Sequence, residues 1–135
     1  MKRILANILI RLLTHADRYL KKDFYVRIFS EYFWARYDSY REKYDIDESF
    51  RFNGQNILFY GEGEIVCGKN SYIGDYSTVQ APENHKVEIG DNCSISHNVR
   101  IYTQTNNADQ DLNTSEVKRI KYGNVFIGNG VWIGA

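Results

Sequence analysis

The sequence contains, at residues 65–74, the stretch IVCGKNSYIG, and its pattern returns as VEIGDNCSIS (87–96) and VFIGNGVWIG (125–134). Each copy begins with an apolar, a variable and an apolar residue, followed by glycine, a polar residue and Asn or Gly. Two variable positions, an isoleucine and a Gly or Ser complete it. A short pattern repeated along a chain is typical of a solenoid, in which each repeat packs mainly on its neighbours.

Apolar residues recur every six positions in and around these copies, and the residue four places later is mostly small or β-branched. We therefore expect both positions to point inward, with glycine or a small polar residue at the second place allowing a corner to bend. Three such units predict an 18-residue turn of a three-sided prism, and turns would stack at a strand spacing of about 4.8 Å. The first set is Cys67, Ile73, Val79, Ile89, Ile95, Ile101, Ile127 and Ile133, and the second is Ser71, Ser77, Cys93, Val99 and Val131.

The distances between copies locate two insertions in this coil. From Ile65 to Val87 is 22 residues, which is one 18-residue turn and four more. From Val87 to Val125 is 38 residues, which is one turn and twenty more. The short insertion falls near residues 81–86 and the long one between about 103 and 124. Because a regular coil does not need a long loop, this loop is expected to serve function.

The repeat, the phrase IGDN…IYTQT, the long loop and the closing GNVFIGNGVWIGA resemble the hexapeptide-repeat acyltransferases over about residues 55–135. Within them the chain is most similar to the maltose and galactoside O-acetyltransferase-like group, which includes enzymes of capsule and O-antigen synthesis. The resemblance implies a mainly β fold, a left-handed parallel β-helix, that forms a homotrimer. It further implies transfer of acetyl from acetyl-CoA to a saccharide hydroxyl, with no metal.

The resemblance also implies where catalysis would occur. The family has a histidine, acting as general base, just after the strand that reads IYTQT here, and the matching position is Asn106. An amide cannot accept a proton at neutral pH, so Asn106 is expected to orient the acceptor instead. His85, in the short insertion, is then the favoured base. His97 is expected to be a surface residue, and a surface role stays open for His85 too. His15 lies in the N-terminal helix and is expected to be unrelated to the site.

Further site residues follow from the same resemblance. Glu83 and Asn84 lie where the family has a substrate contact. The long loop offers amide and carboxylate groups that suit sugar hydroxyls. Its two aspartates could also supply a weaker base, and a role as solvated loop charges stays open for them. Trp132 matches a family tryptophan near the acyl-transfer site, or it is an outward aromatic on the prism surface. The predicted loop ligands are Asn107, Asp109 and Asp111, and the predicted cofactor contacts are Trp132, Gly134 and Ala135.

The end of the sequence lies inside the third copy of the pattern. Val125 begins a new turn, and the family adds further coils that bind the pantetheine arm of CoA. We therefore expect such coils beyond Ala135 in a complete enzyme, and we expect the uncapped turn to expose strand edges.

The first 48 residues have a different character from residues 49–135, so we predict a helical N-terminal segment before the β domain. Residues 3–22 have helical periodicity, and residues 1–22 carry net charge +5, from six basic residues against Asp17, in a chain whose net charge is +0. Residues 23–44 read as a second, aromatic-rich helix. The basic helix either contacts an anionic membrane surface or packs on protein. A cytoplasmic location follows, with attachment to the inner membrane face as the alternative.

Two other functions remain as alternatives. A catalytically impaired or truncated hexapeptide-repeat protein with a structural role would fit Asn106. A γ-type carbonic anhydrase needs three histidines around zinc, and His85 and His97 do not have that spacing. Cys67 and Cys93 are expected to be buried thiols, because no CxxC pattern supports a metal site or disulfide. The even charge balance argues against a globally basic nucleic-acid-binding protein.

Overall fold

The computed structural model describes residues 22–109, Asp111, Asn113 and 119–135, and divides into two compact units, 1–36 and 37–135. Helix α1 (Lys22–Lys43) confirms the helix predicted over 23–44. The helix predicted over 3–22, which contains His15, lies outside the described residues.

The first unit contains the N-terminal part of α1. Its exposed side chains include an ion pair one turn apart, in which Arg27 Nε lies 3.8 Å from Glu31 Oε1. Several large apolar side chains of this part are also exposed: Val26, Ile28, Phe29, Tyr32 and Trp34. Among the described residues, no helix combines the length and the apolar character needed to cross a bilayer.

The second unit consists of short strands that follow one another closely, as the six-residue period predicts. They are β1 (Asp45–Ile46), β2 (Arg51–Asn53), β3 (Leu58–Tyr60), β4 (Glu64–Cys67), β5 (Tyr72–Gly74), β6 (Thr78–Gln80), β7 (Lys86–Ile89), β8 (Ser94–Ile95), β9 (Arg100–Tyr102), β10 (Gln104–Asn106), β11 (Ile120–Tyr122), β12 (Val125–Ile127) and β13 (Trp132–Ile133).

Three parallel sheets contain all of these strands except β10 and β11. Sheet A has the order β1-β4-β7-β12, sheet B the order β13-β8-β5-β2 and sheet C the order β3-β6-β9. The chain passes from sheet A to B to C and back to A in every turn. Val87 pairs with Ile65 on one side and with Val125 on the other, which are the two spacings found in the sequence. The predicted mainly β fold is confirmed, with most of its strands in parallel sheets.

The positions predicted to point inward form the core. Cys67, Ile73, Val79, Ile89 and Ile95 are each at most 2% exposed, and Ile101, Ser71, Ser77, Cys93 and Val99 are also buried. Val131, Ile127 and Ile133, in the last described turn, are partly buried against them. Both thiols are buried and free, as predicted.

Buried serines join successive turns of the coil. The Ser71 hydroxyl donates to the carbonyl oxygen of Gly90 at 2.7 Å and accepts from the backbone N–H of Cys93 at 2.8 Å. Ser77 makes the equivalent pair of bonds to Ser96 and Val99, both at 3.1 Å. A polar group is therefore tolerated in the core because its hydrogen bonds are satisfied.

The glycines at the second place of each unit have a different role from the one predicted. Gly90 does not have a left-handed backbone, and a Cβ on it would lie 2.8 Å from the carbonyl carbon of Gly128 in the next turn. Gly68, Gly74 and Gly90 are needed because successive turns approach closely at these positions. The left-handed positions are two residues later, where Asn70, Asn92 and Gly130 have φ of 56°, 57° and 68°. Asn tolerates this conformation better than most residues do.

The last turns of α1 and Tyr44, the residue after it, cover the first turn of the coil, a contact that the sequence did not predict. Tyr37, Tyr40 and Tyr44 are buried at intervals of three and four residues. Their hydroxyls donate to the carbonyl oxygens of Gly54, Ile57 and Gly61 at 2.8, 3.4 and 2.9 Å. Their rings pack on two phenylalanines of that turn, with Tyr37 stacked on Phe52 at 4.6 Å and Tyr40 on Phe59 at 5.5 Å. This cap buries an end of the core that would otherwise face solvent.

Candidate functional site

The return from sheet C to sheet A, here named the C-to-A corner, differs in every turn of the coil. It takes residues 61–63 in the first turn, 81–85 in the second and 103–124 in the third. Both predicted insertions therefore fall on the same corner of successive turns. Stacking brings them together, although they are far apart in the sequence.

The long insertion begins and ends as an antiparallel hairpin. Gln104 pairs with Tyr122, Thr105 with Lys121 and Asn106 with Ile120. Since directly opposed residues project to the same face of a hairpin, Gln104, Asn106 and Tyr122 share one face. The repeat spacing predicts only a loop here. The alternation of polar with β-branched or aromatic residues at both its ends, in YTQT and RIKY, is the strand signal that points to the hairpin.

The short insertion holds His85 in a tight turn. The N–H of His85 donates to the carbonyl oxygen of Pro82 at 3.1 Å, and Asn84 has a left-handed φ of 64°. His85 Nδ1 lies 3.0 Å from the carbonyl oxygen of Glu83. A carbonyl can only accept, so this contact assigns the proton to Nδ1 and leaves a lone pair on Nε2 in the neutral ring.

Two contacts join the short insertion to the hairpin. The imidazole of His85 stacks on the phenol ring of Tyr122, with centroids 4.9 Å apart and planes inclined by 27°. The backbone N–H of Lys86 donates to Asn124 Oδ1 at 2.9 Å. The hairpin base is closed by a bond from the Gly123 N–H to the Thr103 carbonyl oxygen at 2.9 Å. His85 therefore lies against the face of the hairpin that carries Asn106.

Lys86, the first residue of β7, directly follows His85 and carries a positive charge. Its Nζ lies 2.8 Å from Glu88 Oε2 and 3.8 Å from Glu64 Oε2. The hydrogen bond to Glu88 is the main cause that raises the pKa of Lys86, with the charges of both glutamates adding to it. Lys86 thus stays protonated while its charge is balanced by the two carboxylates.

An open cleft of about 330 Å³ lies along the base of the hairpin. Its walls combine two tyrosine rings with amide, hydroxyl and ammonium groups. None of these residues belongs to the repeated pattern, so the sequence does not predict their place in a cleft. The lining residues are Tyr102, Thr103, Gln104, Thr105, Lys121, Tyr122, Gly123 and Asn124.

Several predicted site residues meet at this corner. Glu83 and Asn84 lie in the same turn as His85, and Asn106 lies in β10 of the hairpin. Asn107 continues the hairpin through a bond from its N–H to the Arg119 carbonyl oxygen at 2.8 Å.

The two predicted aspartates of the long insertion are both exposed. Asp111 Oδ1 accepts from the backbone N–H of Asn113 at 2.8 Å and from its side-chain amide at 3.1 Å. That arrangement gives Asp111 a local turn role, and Asp109 remains an exposed carboxylate on the same insertion.

Other predicted residues lie elsewhere. Trp132 is 78% exposed on sheet B, and Gly134 and Ala135 follow it. His97 is exposed at the corner between β8 and β9, where its Nδ1 lies 3.4 Å from Ser96 Oγ. Neither position flanks the C-to-A corner.

The described residues contain no group of three or more His, Cys, Asp or Glu side chains able to hold a metal ion. Comparison of the chain with protein-family models, curated proteins and solved structures finds no match. Function is therefore inferred from the chemistry of the C-to-A corner and from the motifs in the sequence.

Proposed function

We propose that this chain is a left-handed parallel β-helix of the hexapeptide-repeat type and an acetyl-CoA-dependent O-acetyltransferase. Its acceptor would be a saccharide of a surface polysaccharide, such as a capsule, O-antigen or lipopolysaccharide. The observation that carries the proposal is the meeting of both insertions at the C-to-A corner. There a histidine with a free lone pair packs on a hairpin beside an open cleft.

The proposed chemistry needs a base, because a sugar hydroxyl has a pKa far above 7. His85 Nε2 takes the hydroxyl proton as the oxygen attacks the thioester carbonyl of acetyl-CoA. The new C–O ester bond forms, the C–S bond breaks and the CoA thiolate leaves, taking up a proton. Asn106, on the hairpin face that His85 packs against, donates or accepts hydrogen bonds that orient the acceptor.

The remaining parts of the proposal rest on the sequence resemblance and on charge. Acetyl-CoA would lie near Trp132, Gly134 and Ala135, with a neighbouring subunit of a homotrimer bringing that surface to the corner. The basic residues 1–22, with net charge +5, would hold the enzyme at the anionic inner face of the membrane from the cytoplasmic side.

Asn106 favours a second candidate, a hexapeptide-repeat protein that no longer catalyses transfer. It occupies the position of the family histidine, and its amide has no proton-accepting nitrogen at neutral pH. The two candidates differ in what Asn106→His would do. A large gain in acetyl transfer would favour a lost active site, whereas a working enzyme with His85 as base would gain little.

The direct experiment is a calorimetric titration of the full chain with acetyl-CoA, together with its mass by light scattering. We expect saturable binding with one site per chain in a trimer, and acetyl transfer to a saccharide that falls by about 10²-fold or more in His85→Gln. Absence of acetyl-CoA binding by a folded oligomer would refute the enzyme proposal. Binding without transfer to any saccharide would support the second candidate.

A further inference from the structure

Tyr122 offers the cleft an aromatic surface. It lines the cleft together with Tyr102, and the two side chains are 52% and 47% exposed. The face of an aromatic ring is electron-rich, and the C–H groups on one side of a pyranose ring carry partial positive charge. A sugar ring can therefore stack on either tyrosine while its hydroxyls point sideways.

The ring of Tyr122 is held in place before any ligand binds. His85 stacks on it at 4.9 Å, and the turn at 82–85 holds His85 through its own N–H and ring nitrogen. A ring that packing already holds loses less rotational freedom when a ligand binds, so the entropy loss on binding is smaller.

Polar groups around Tyr122 match sugar hydroxyls, which both donate and accept hydrogen bonds. The Oδ1 atom of Asn124 accepts from the Lys86 N–H, which fixes the amide with its NH₂ as a donor. Gln104, directly opposite Tyr122 in the hairpin, adds a second amide, and Thr105 adds a hydroxyl. An aromatic wall with a few two-way polar groups is the usual make-up of a small-molecule site.

We propose that the cleft binds a pyranose ring of the acceptor stacked on Tyr122, and that His85 is a positioning residue for that ring. The inference rests on the proposed saccharide acceptor and adds the subsite that holds it. His85 then has a second role, which is to hold the ring of Tyr122 by stacking. This role needs only a flat ring and can be separated from proton transfer at Nε2.

The test measures binding of sugars to the full chain, without acetyl-CoA, by saturation-transfer NMR and titration. The probes are methyl β-D-galactopyranoside, N-acetylglucosamine and glucuronate. We expect Tyr122→Ala to weaken binding at least about tenfold, or 1.4 kcal/mol, and Tyr122→Phe to retain it. His85→Ala should weaken binding about five- to tenfold. His85→Phe should restore it, because phenylalanine keeps the stacked ring but cannot accept a proton.

Phe126→Ala is the matched control, since Phe126 is a 66% exposed aromatic on sheet A that does not line the cleft. Its sugar binding should equal that of the wild type. Hydrogen exchange at the amides of β10 and β11 checks that the hairpin is intact in every variant, and His85→Phe keeps the proposal testable if His85→Ala loosens the hairpin.

Three results would overturn the inference: none of the three sugars binds, His85→Phe binds as weakly as His85→Ala, or adenosine 3′,5′-bisphosphate competes with the sugar for Tyr122. The third would make the cleft a cofactor subsite. Sugar binding without acetyl transfer would count against the proposed function alone. Acetyl-CoA binding and transfer that are unaffected by Tyr122→Ala would count against this subsite alone.

Discussion

Two corners of the coil obey opposite rules. The corner between sheets A and B repeats closely in three turns, as Gly-Lys-Asn-Ser (68–71), Gly-Asp-Asn-Cys (90–93) and Gly-Asn-Gly-Val (128–131). The C-to-A corner changes length in every turn and carries the hairpin, the cleft and His85. Where adjacent turns must follow the same path, the sequence repeats; where they need not, insertions and polar chemistry accumulate.

The regular corner is uniform because each turn bonds to the next at the same place. The N–H of Lys69 donates to Asp91 Oδ1 at 2.6 Å, and the N–H of Asp91 donates to Asn129 Oδ1 at 2.8 Å. A residue inserted here would break this ladder and push the turns apart. At the C-to-A corner, the Gly63 N–H donates to the Ala81 carbonyl oxygen at 2.8 Å and the Lys86 N–H donates to Asn124 Oδ1 at 2.9 Å, so turns of unequal length are still joined.

The largest expected effect comes from the core that this regular path serves. Ile95 is 0% exposed and pairs with Ile73 in sheet B. Ile95→Ala removes three buried carbons and leaves a cavity that rigid neighbouring turns cannot fill, so we expect a loss of about 2–5 kcal/mol in the free energy of unfolding. Urea unfolding followed by circular dichroism measures it.

Thr105→Ala, at an exposed hairpin position, is the control and should change the free energy of unfolding by less than about 0.5 kcal/mol. Equal decreases in the free energy of unfolding for Ile95→Ala and Thr105→Ala would mean that the hairpin contributes to stability as much as the core. The regular turns and the C-to-A corner would then not differ in the way described above.

The next effect compares one glycine from each corner. A Cβ on Gly90 would meet the Gly128 carbonyl carbon at 2.8 Å and the Asn129 nitrogen at 2.9 Å, whereas nothing lies within 4 Å of a Cβ on Gly123. Gly90→Ala forces two turns apart and should cost about 1–3 kcal/mol. Gly123→Ala should leave stability unchanged or raise it by about 0.4–1 kcal/mol, because alanine restricts the unfolded chain.

Thermal unfolding of the two alanine variants side by side gives the answer. If Gly90→Ala unfolds at the wild-type temperature, close approach of the turns is not the reason for glycine at the regular corner. The bend that the sequence predicts would then be the better explanation.

The sequence predicted the features that depend on period. An inward residue every six positions must be apolar, so Ile73, Ile89 and Ile95 marked the interior, and the spacing of the copies marked the insertions. The role of Gly90 was not predictable, because the atoms it makes room for belong to the next turn. The tyrosine cap on the first turn was not predictable either. Its hydroxyls bond to backbone carbonyls that any sequence provides, and its stacking on Phe52 and Phe59 joins a helix to a strand region that no local pattern connects.

The candidate site was predictable only in part. His85 and Asn106 were chosen from motif positions, and the structure adds that one packs on the hairpin that carries the other. Tyr122 and Asn124 were not predicted because neither lies in the repeat. Their contacts with His85 and Lys86 form only when turns of unequal length stack. Local patterns carry no information on such contacts.

The smallest of the three effects tests how well the interior beside the regular corner excludes water. Cys67 precedes that corner and is 2% exposed, and burial strongly raises the pKa of its thiol. The unfolded thiol has a pKa near 8.5, so the stabilising contribution is fully present below about pH 8.5 and is lost as pH rises above it. The unfolded state releases a proton there, and the folded state does not.

At pH 9.5, one unit above the unfolded pKa, this thiol should reduce the free energy of unfolding by about 1.4 kcal/mol relative to pH 7. Cys67→Val keeps an apolar side chain of similar size but has no thiol to ionise. The decrease in its free energy of unfolding between pH 7 and pH 9.5 should therefore be smaller by that amount. Urea titrations at both pH values measure the difference. Identical losses in the variant and the wild type would show that Cys67 ionises in the folded state, and that water reaches the core as readily as it reaches the C-to-A corner.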